Sequence, residues 1–160
     1  MGRRGRIQKS DGFSSPNYNS SKEEKQMAVN VTKGAIDLGI VMRNTDAMLA
    51  FYGQQLGLPK EGEIEMPGGV LMHRYTCGQT VIKLLAPAKL PEASNPPGGL
   101  AGGTGIRYLT ISVDNLDEAE AACKSAGRSI VITGREIRPG VRICMIEDPD
   151  GNWVELLEQS

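Results

Sequence analysis

The chain has 160 residues, of which 39% are hydrophobic and 23% charged, and its formal net charge is −1. This balance is typical of one globular domain and excludes a fibrous or fully disordered chain. No apolar run approaches the roughly 18 residues of a membrane span, and the charge pattern does not indicate a nucleic-acid partner. The three cysteines show no CxxC spacing, so we expect neither a zinc knuckle nor a disulfide framework, and a cytoplasmic, reducing location fits best.

The first 33 residues are rich in Ser, Asn, Gly and charged residues and show almost no apolar periodicity. Such a segment buries too little surface to offset its ordering entropy, so we expect a disordered N-terminal tail over residues 1–33. Met27 would also serve as a start, which leaves open whether residues 1–26 belong to the natural protein. The folded domain is expected over residues 34–160.

An internal repeat predicts the architecture of this domain. The stretch AIDLGIVMRNTDAMLAFYGQQLG, which begins at Ala35, aligns with GIRYLTISVDNLDEAEAACKSAG about 71 positions later. Each copy begins with a strand that has one apolar face and continues into a helix that ends at a glycine, Gly57 or Gly127. Asn44 and Asn115 precede the two helices and are predicted to be their N-caps.

The later parts of the two copies also match, because VLMHRYTCGQTVIKLLAP aligns with RICMIEDPDGNWVELLEQ as two hairpins. The turn from Asp148 to Gly151 has favourable chemistry, since Pro presets φ and Gly permits positive φ. One further strand precedes each hairpin. We therefore predict an α+β fold of two βαβββ modules, residues 35–90 and 105–158, joined by a flexible Pro/Gly linker. Their curved mixed sheets are expected to surround one shared cleft.

Side-chain alternation along the strands predicts which residues line this cleft. The apolar face of each strand must pack on the helices, so the opposite face is assigned to the cleft. His73, the only histidine, is assigned to the helix side. The cleft residues predicted in this way are Asp37, Arg74, Lys83, Tyr108, Thr110, Arg142, Cys144, Trp153 and Glu155.

The segments IDLGIVMRNTDAMLAFYGQQLGL and EDPDGNWVELLE resemble the opening and the closing hairpin of the vicinal oxygen chelate (glyoxalase/bleomycin-resistance/dioxygenase) superfamily. The resemblance covers roughly residues 35–158 and implies a glyoxalase-like fold, a small-molecule ligand or substrate and a homodimer. Members similar to glyoxalase I or methylmalonyl-CoA epimerase hold a divalent metal with four inward side chains. Carried onto this sequence, those positions are Asp37, Lys83, Tyr108 and Glu155.

These four residues depart from the His, Glu or Gln, His and Glu that the resemblance implies. An ammonium group has no lone pair, and a neutral phenol is a weak ligand. We therefore expect no tightly bound transition metal, although weak divalent binding at Glu155 and Asp37 stays open. In its place we expect an ion cluster in which Lys83 pairs with one or both carboxylates and Tyr108 donates its hydroxyl.

Three functions fit this pattern. The first is a metal-independent lyase or isomerase for a small oxygenated, carbonyl-containing metabolite, with Asp37, Lys83, Tyr108 and Glu155 as catalytic residues. The second is a non-catalytic small-molecule binding protein like the bleomycin-resistance relatives, and the third is a structural member whose cleft is closed. The residues expected to bind substrate are Thr110, Arg74, Arg142, Cys144 and Trp153. Trp153 is expected either to stack on a ligand or to fill space, and the sequence does not identify the substrate.

Overall fold

The computed structural model describes residues 31–160, in which the order strand, helix, three strands occurs twice. The first module comprises β1 (Leu38–Val41), α1 (Thr45–Ala50), β2 (Lys60–Met66), β3 (Val70–Cys77) and β4 (Thr80–Ala86). The second comprises β5 (Tyr108–Val113), α2 (Leu116–Ser125), β6 (Ser129–Arg138), β7 (Val141–Glu147) and β8 (Trp153–Gln159). The predicted βαβββ repeat is confirmed. The tail predicted for residues 1–33 lies, except for residues 31–33, outside the described part.

Each module forms a four-stranded sheet, with the orders β1-β4-β3-β2 and β5-β8-β7-β6. The first strand of each module pairs in parallel with the last, and the other pairs are antiparallel. Both sheets are therefore mixed, which confirms the α+β class. No helix within residues 31–160 is long and apolar enough to cross a membrane.

One hydrophobic core joins the two modules, because buried side chains of both belong to the same cluster. Leu84 of β4 and Val154 of β8 are completely buried in it, as the predicted apolar strand faces require. Full burial of one such side chain stabilises the fold by roughly 1.5–3 kcal/mol. The opposite face of each sheet is therefore available for the candidate site.

Asn44 and Asn115 occupy the N-cap positions of α1 and α2 as predicted, but neither side chain forms a capping hydrogen bond to its helix. Contacts from distant parts of the chain replace the local caps. Leu116 N at the start of α2 donates to Glu158 Oε1 at 3.1 Å, and Asn44 Nδ2 donates to Asp150 Oδ1 at 2.7 Å. A tertiary acceptor has therefore overridden the local capping preference.

The turn between β7 and β8 fastens the second module to the first. Asp148, which is 3% exposed, accepts hydrogen bonds from Asp150 N, Asn152 N and Asn152 Nδ2. It also accepts one from Tyr52 Oη at 3.0 Å, and Tyr52 lies in a π-helical turn (Phe51–Gln55) that continues α1. Burial raises the pKa of Asp148, and burial together with Asp148 raises the pKa of Tyr52. The Asp148 carboxylate therefore stabilises both the hairpin turn and the interface between the two modules.

The linker between the modules, predicted to be flexible, is held by Arg107. The guanidinium donates to Gly99 O at 2.7 Å, Asn95 Oδ1 at 2.9 Å and Pro96 O at 2.6 Å. Residues Gly99–Ala101 form a short 3₁₀ turn in this segment. The carbonyl groups of a glycine- and proline-rich chain are thus tied to one cation, an arrangement that composition alone did not indicate.

Candidate functional site

The side of the two sheets away from the helices, here called the open face, carries the predicted catalytic positions. On the first sheet Gly39, Lys83 and Arg74 lie side by side on three neighbouring strands. The Lys83 side chain is 31% exposed and its Nζ lies 3.3 Å from Asp37 Oδ2. Arg74 donates to Glu61 at 2.8 Å. Two adjacent cations would repel each other, and each is neutralised by its own carboxylate.

Asp37 is held by three donors just before β1 begins. Its Oδ1 accepts from Lys33 Nζ at 2.5 Å and from Val81 N at 3.0 Å, while Lys83 approaches the other oxygen. The Lys33 hydrogen bond, followed by the Val81 and Lys83 bonds, holds the pKa of Asp37 well below its usual range. A carboxylate that binds protons so weakly is a poor general base, and it is better suited to positioning Lys83.

On the second sheet Glu155 of β8 lies opposite Thr110 of β5, at the repeat positions that Lys83 and Gly39 occupy in the first. Thr110 Oγ1 donates to Glu155 Oε2 at 2.7 Å. Within residues 31–160 the Oε1 atom of Glu155 accepts no hydrogen bond. One carboxylate oxygen is therefore oriented and the other is free to accept a proton.

The expected ion cluster is present only in part, as the Lys83–Asp37 pair, and the expected hydrogen bond from the Tyr108 hydroxyl is wrong. Lys83 pairs with Asp37, and Thr110 orients Glu155. Among the ion pairs of residues 31–160, none joins Lys83 to Glu155. Tyr108 is 44% exposed, and its hydroxyl makes no hydrogen bond in the same part of the chain. The structure thus brings Lys83 and Asp37 together and leaves the phenol of Tyr108 open to solvent.

Trp153 lies beside Tyr108 on the open face and supports the linker. Its Nε1 donates to Glu147 Oε2 at 3.2 Å. A Cβ built at Gly99 would lie 2.2 Å from the indole, so the linker backbone covers part of the ring. Trp153 and Tyr108 also line a cavity of about 230 Å³ that reaches Gly39 of β1. Two roles were expected for Trp153, stacking on a ligand or filling space. The structure shows the second, because the indole packs against the linker.

The predicted inward placement of Arg142 and Cys144 is wrong. Cys144 pairs with Leu156 and Arg142 with Glu158, and Leu156 lies in the core. Arg142 consequently lies on the helix side of the sheet, where it binds Asp117 of α2 at 2.6 Å and Glu158 of β8 at 3.0 Å.

The physical reason for this error is the length of the two hairpin loops. In the first module residues 78–79 separate the paired strands, whereas residues 148–152 do so in the second. The loops differ by an odd number of residues, and a one-residue change in register turns every side chain of a strand to the other face. Met145 therefore occupies the inward place beside Glu155 that had been assigned to Cys144.

The thiols of Cys123 and Cys144 are predicted to be unreactive in the native protein. Both residues are completely buried, and burial raises the pKa of Cys144 to about 12 and also raises that of Cys123. Because the thiolate is the reactive form, iodoacetamide at mildly alkaline pH should label neither residue until guanidinium chloride is added. Peptide mass spectrometry checks this, and equal labelling of Cys144 in native and unfolded protein would contradict its burial.

The residues at the four family metal positions do not fit a transition metal. Asp37 is already engaged by three donors, Lys83 offers no lone pair, and neutral Tyr108 is a weak ligand. In the part of the chain that the structure describes, no three His, Cys, Asp or Glu residues are grouped to hold an ion. Glu155 alone keeps the ligand type of the family.

Comparison with known proteins identifies the family to which the chain belongs. The family model of the Glyoxalase/Bleomycin resistance protein/Dioxygenase superfamily matches residues 35–156. No curated protein is significantly similar in sequence.

Three solved structures illustrate the likeness in fold. A glyoxalase family protein from Bacillus cereus has a TM-score of 0.70 at 18% identity, with 83% of this chain and 97% of that chain covered. A glyoxalase/dioxygenase from Nostoc punctiforme has a TM-score of 0.62 at 24% identity, with 78% of this chain and 89% of that chain covered. Lactoylglutathione lyase from Agrobacterium tumefaciens has a TM-score of 0.56 at 24% identity, with 80% of this chain and 96% of that chain covered. These identities show the fold alone, whereas the family match spans most of the chain. The chain therefore belongs to the Glyoxalase/Bleomycin resistance protein/Dioxygenase superfamily.

Proposed function

We propose that the open face makes the protein a metal-independent lyase or isomerase for a small oxygenated metabolite that contains a carbonyl group. The observation that carries the proposal is the state of Glu155, whose one oxygen is oriented by Thr110 while the other is free. A general base needs an accessible oxygen in a fixed position, and this carboxylate has one.

The reaction begins when Glu155 Oε1 takes a proton from the carbon next to the substrate carbonyl. The electron pair of that C–H bond forms a C=C bond, and the carbonyl oxygen becomes an enolate. In an α-hydroxy carbonyl substrate, the α-hydroxyl proton moves to the enolate oxygen and the abstracted proton returns to the former carbonyl carbon, which completes an isomerisation. In a substrate with a β-substituent, the carbonyl re-forms as the substituent departs with its bonding electrons, which completes an elimination. Both outcomes conserve atoms and electrons without an oxidant or reductant.

Lys83 supplies the positive charge that stabilises the enolate oxygen. It occupies the repeat position equivalent to Glu155, and Asp37 fixes its ammonium group at 3.3 Å. A preorganised cation of this kind contributes about 10²–10³-fold to a rate. Asp37 is thus a positioning residue, Tyr108 serves as an accessible proton donor, and Arg74 offers its remaining donors to an anionic part of the substrate.

Exchange of substrate protons for deuterium tests this chemistry before the natural substrate is known. Dihydroxyacetone, hydroxypyruvate and acetoacetate are incubated with the protein in deuterium oxide and followed by NMR. We expect accelerated exchange for at least one compound, a loss of about 10²–10⁴-fold in Glu155→Gln and a comparable loss in Lys83→Met. A chelator should leave the wild-type rate unchanged.

Glu65→Gln is the matched control, because Glu65 lies on β2 beside Leu71, on the face that packs towards the helices. It should exchange at the wild-type rate. Stoichiometric transition metal in protein purified without chelator, combined with loss of exchange on chelation, would contradict metal independence. Saturable binding of a compound without exchange would favour the alternative, a non-catalytic binding protein like the bleomycin-resistance relatives.

A further inference from the structure

Lys33, which composition assigned to the N-terminal tail, reaches the ion pair of the open face. The chain bends over residues 33–35 before β1 begins, and the Lys33 side chain contacts the Asp37 carboxylate four residues later. The bend lies against the turn between β3 and β4, because a Cβ built at Gly34 would be 3.2 Å from Gln79 Oε1. Lys33 therefore extends from a backbone that packs against the first sheet.

Lys33 and Lys83 share one carboxylate. Lys33 Nζ lies 2.5 Å from Asp37 Oδ1, whereas Lys83 Nζ lies 3.3 Å from Asp37 Oδ2. The backbone N–H of Val81 also donates to Oδ1, at 3.0 Å, and helps to orient the carboxylate. Asp37 is thus bound more closely by Lys33 than by Lys83. Lys33 compensates part of the negative charge of the carboxylate while the other oxygen holds Lys83 in place.

The net charge of this group of side chains determines how strongly it attracts an anion. The Lys83–Asp37 pair by itself is neutral, and so is the neighbouring Arg74–Glu61 pair. Lys33 adds a second cation to Asp37, so the three side chains together carry one net positive charge. Because the energy of an approaching anion depends on the summed charge, two neutral pairs alone would attract it weakly.

We propose that Lys33 is a positioning residue that acts through Asp37 and keeps the Lys83 ammonium available to an anionic substrate. The inference rests on the proposed function, in which Lys83 stabilises an enolate oxygen. In the absence of Lys33, Asp37 would direct its full charge to Lys83, and the ammonium group would meet the substrate as half of a neutral pair. Removal of Lys33 should therefore weaken anion binding although Lys83 itself is unchanged.

Binding of oxalate, a small dianion similar in size to an enolate, tests the inference independently of turnover. Isothermal titration calorimetry at low ionic strength should show saturable binding to the wild type. Lys33→Met should bind oxalate about tenfold more weakly, and Lys33→Arg should keep the wild-type affinity. Because salt screens exposed charges, the difference between Lys33→Met and wild type should fall to about twofold in about 0.5 M sodium chloride.

Lys60→Met is the matched control, because Lys60 forms an ion pair of the same length, 2.5 Å, with Glu63 and has a similar exposure. Glu63 lies opposite His73, away from the open face. This variant should keep the wild-type affinity for oxalate. Exposed ion pairs contribute little to stability, so Lys33→Met and Lys60→Met should both unfold at the urea concentration of the wild type. Weaker oxalate binding together with a lower urea midpoint in Lys33→Met would indicate a merely structural role and overturn the proposal.

A double-mutant cycle tests the route through Asp37. In Asp37→Asn, which removes the shared carboxylate, the further change Lys33→Met should cost no more than about twofold in oxalate affinity. An equal loss in both backgrounds, an equal loss in Lys60→Met, or the absence of saturable oxalate binding overturns the inference.

The deuterium exchange assay separates this inference from the proposed function. Lys33→Met should lower the exchange rate about tenfold, in parallel with its oxalate affinity. If no compound exchanges but oxalate binding depends on Lys33, the proposed catalysis is wrong and the role of Lys33 at an anion site is supported. If Lys33→Met exchanges at the wild-type rate, the role of Lys33 is wrong and the proposed catalysis stands.

Discussion

The Asp148→Ala variant is expected to lose about 3–4 kcal/mol of its free energy of unfolding. Asp148 is 3% exposed, so its hydrogen bonds are shielded from water. Its removal leaves Tyr52 Oη, Asp150 N and Asn152 N without their acceptor. Each buried donor that loses its partner costs about 1–3 kcal/mol. The loss is large because one carboxylate closes the β7–β8 turn and also binds the helix of the other module.

Urea unfolding followed by circular dichroism measures this loss. Tyr52→Phe keeps the ring in the core and removes only the hydroxyl, so it should cost about 1 kcal/mol. Asp114→Ala is the control for an aspartate in an exposed position and should stay within about 0.5 kcal/mol of wild type. If Asp148→Ala is no less stable than Asp114→Ala, the turn does not hold the modules together.

The architecture was predictable from the sequence because it depends on patterns that the whole chain repeats. The apolar alternation in the first strand of each module and the glycines after the helices recur at a shift of about 71 positions, and each copy alone lacks a partner for its apolar face. The same alternation placed Lys83 and Glu155 on the open face, since each lies between two buried neighbours in the last strand of its module.

The candidate site was predictable only where the strands keep one register. The assignment of Cys144 relied on an alignment without gaps, and the longer second turn turned it to the core. Spacing also gave no sign that Thr110 would orient Glu155. That contact joins two strands that lie far apart in the chain. The acceptors that take the place of the asparagine side chains at the helix starts are also distant in sequence. Local propensity does not contain such information.

The glycine-rich linker shows why composition alone was misleading there. Glycine favours flexibility and proline excludes regular hydrogen-bonded structure, yet here the carbonyl groups of Gly99 and Pro96 both accept hydrogen bonds from Arg107. The arginine stands directly before β5, so its own position is fixed by the sheet. A single side chain anchored in this way converts a flexible segment into a cover for Trp153. The signal in the sequence was one arginine next to a run of glycines, which has no specific meaning without the fold.

Gly99→Ala is expected to release this cover, with a loss of about 2–3 kcal/mol in the free energy of unfolding. The added Cβ would lie 2.2 Å from the Trp153 ring, and the residue has a φ of 51°, which an alanine adopts only under strain. The linker must therefore move off the indole, and Arg107 loses its bond to Gly99 O.

Because Trp153 is the only tryptophan, its fluorescence reports the displacement directly. The emission of Gly99→Ala should shift to longer wavelength, and urea unfolding gives the change in stability. Gly103→Ala is the matched control in the same linker, since a Cβ there meets nothing nearer than 3.7 Å. It should keep the wild-type emission. If both variants emit like the wild type, the linker does not lie on Trp153. If only Gly99→Ala shifts, the glycine is required because the chain passes so close to an aromatic ring at the edge of the open face.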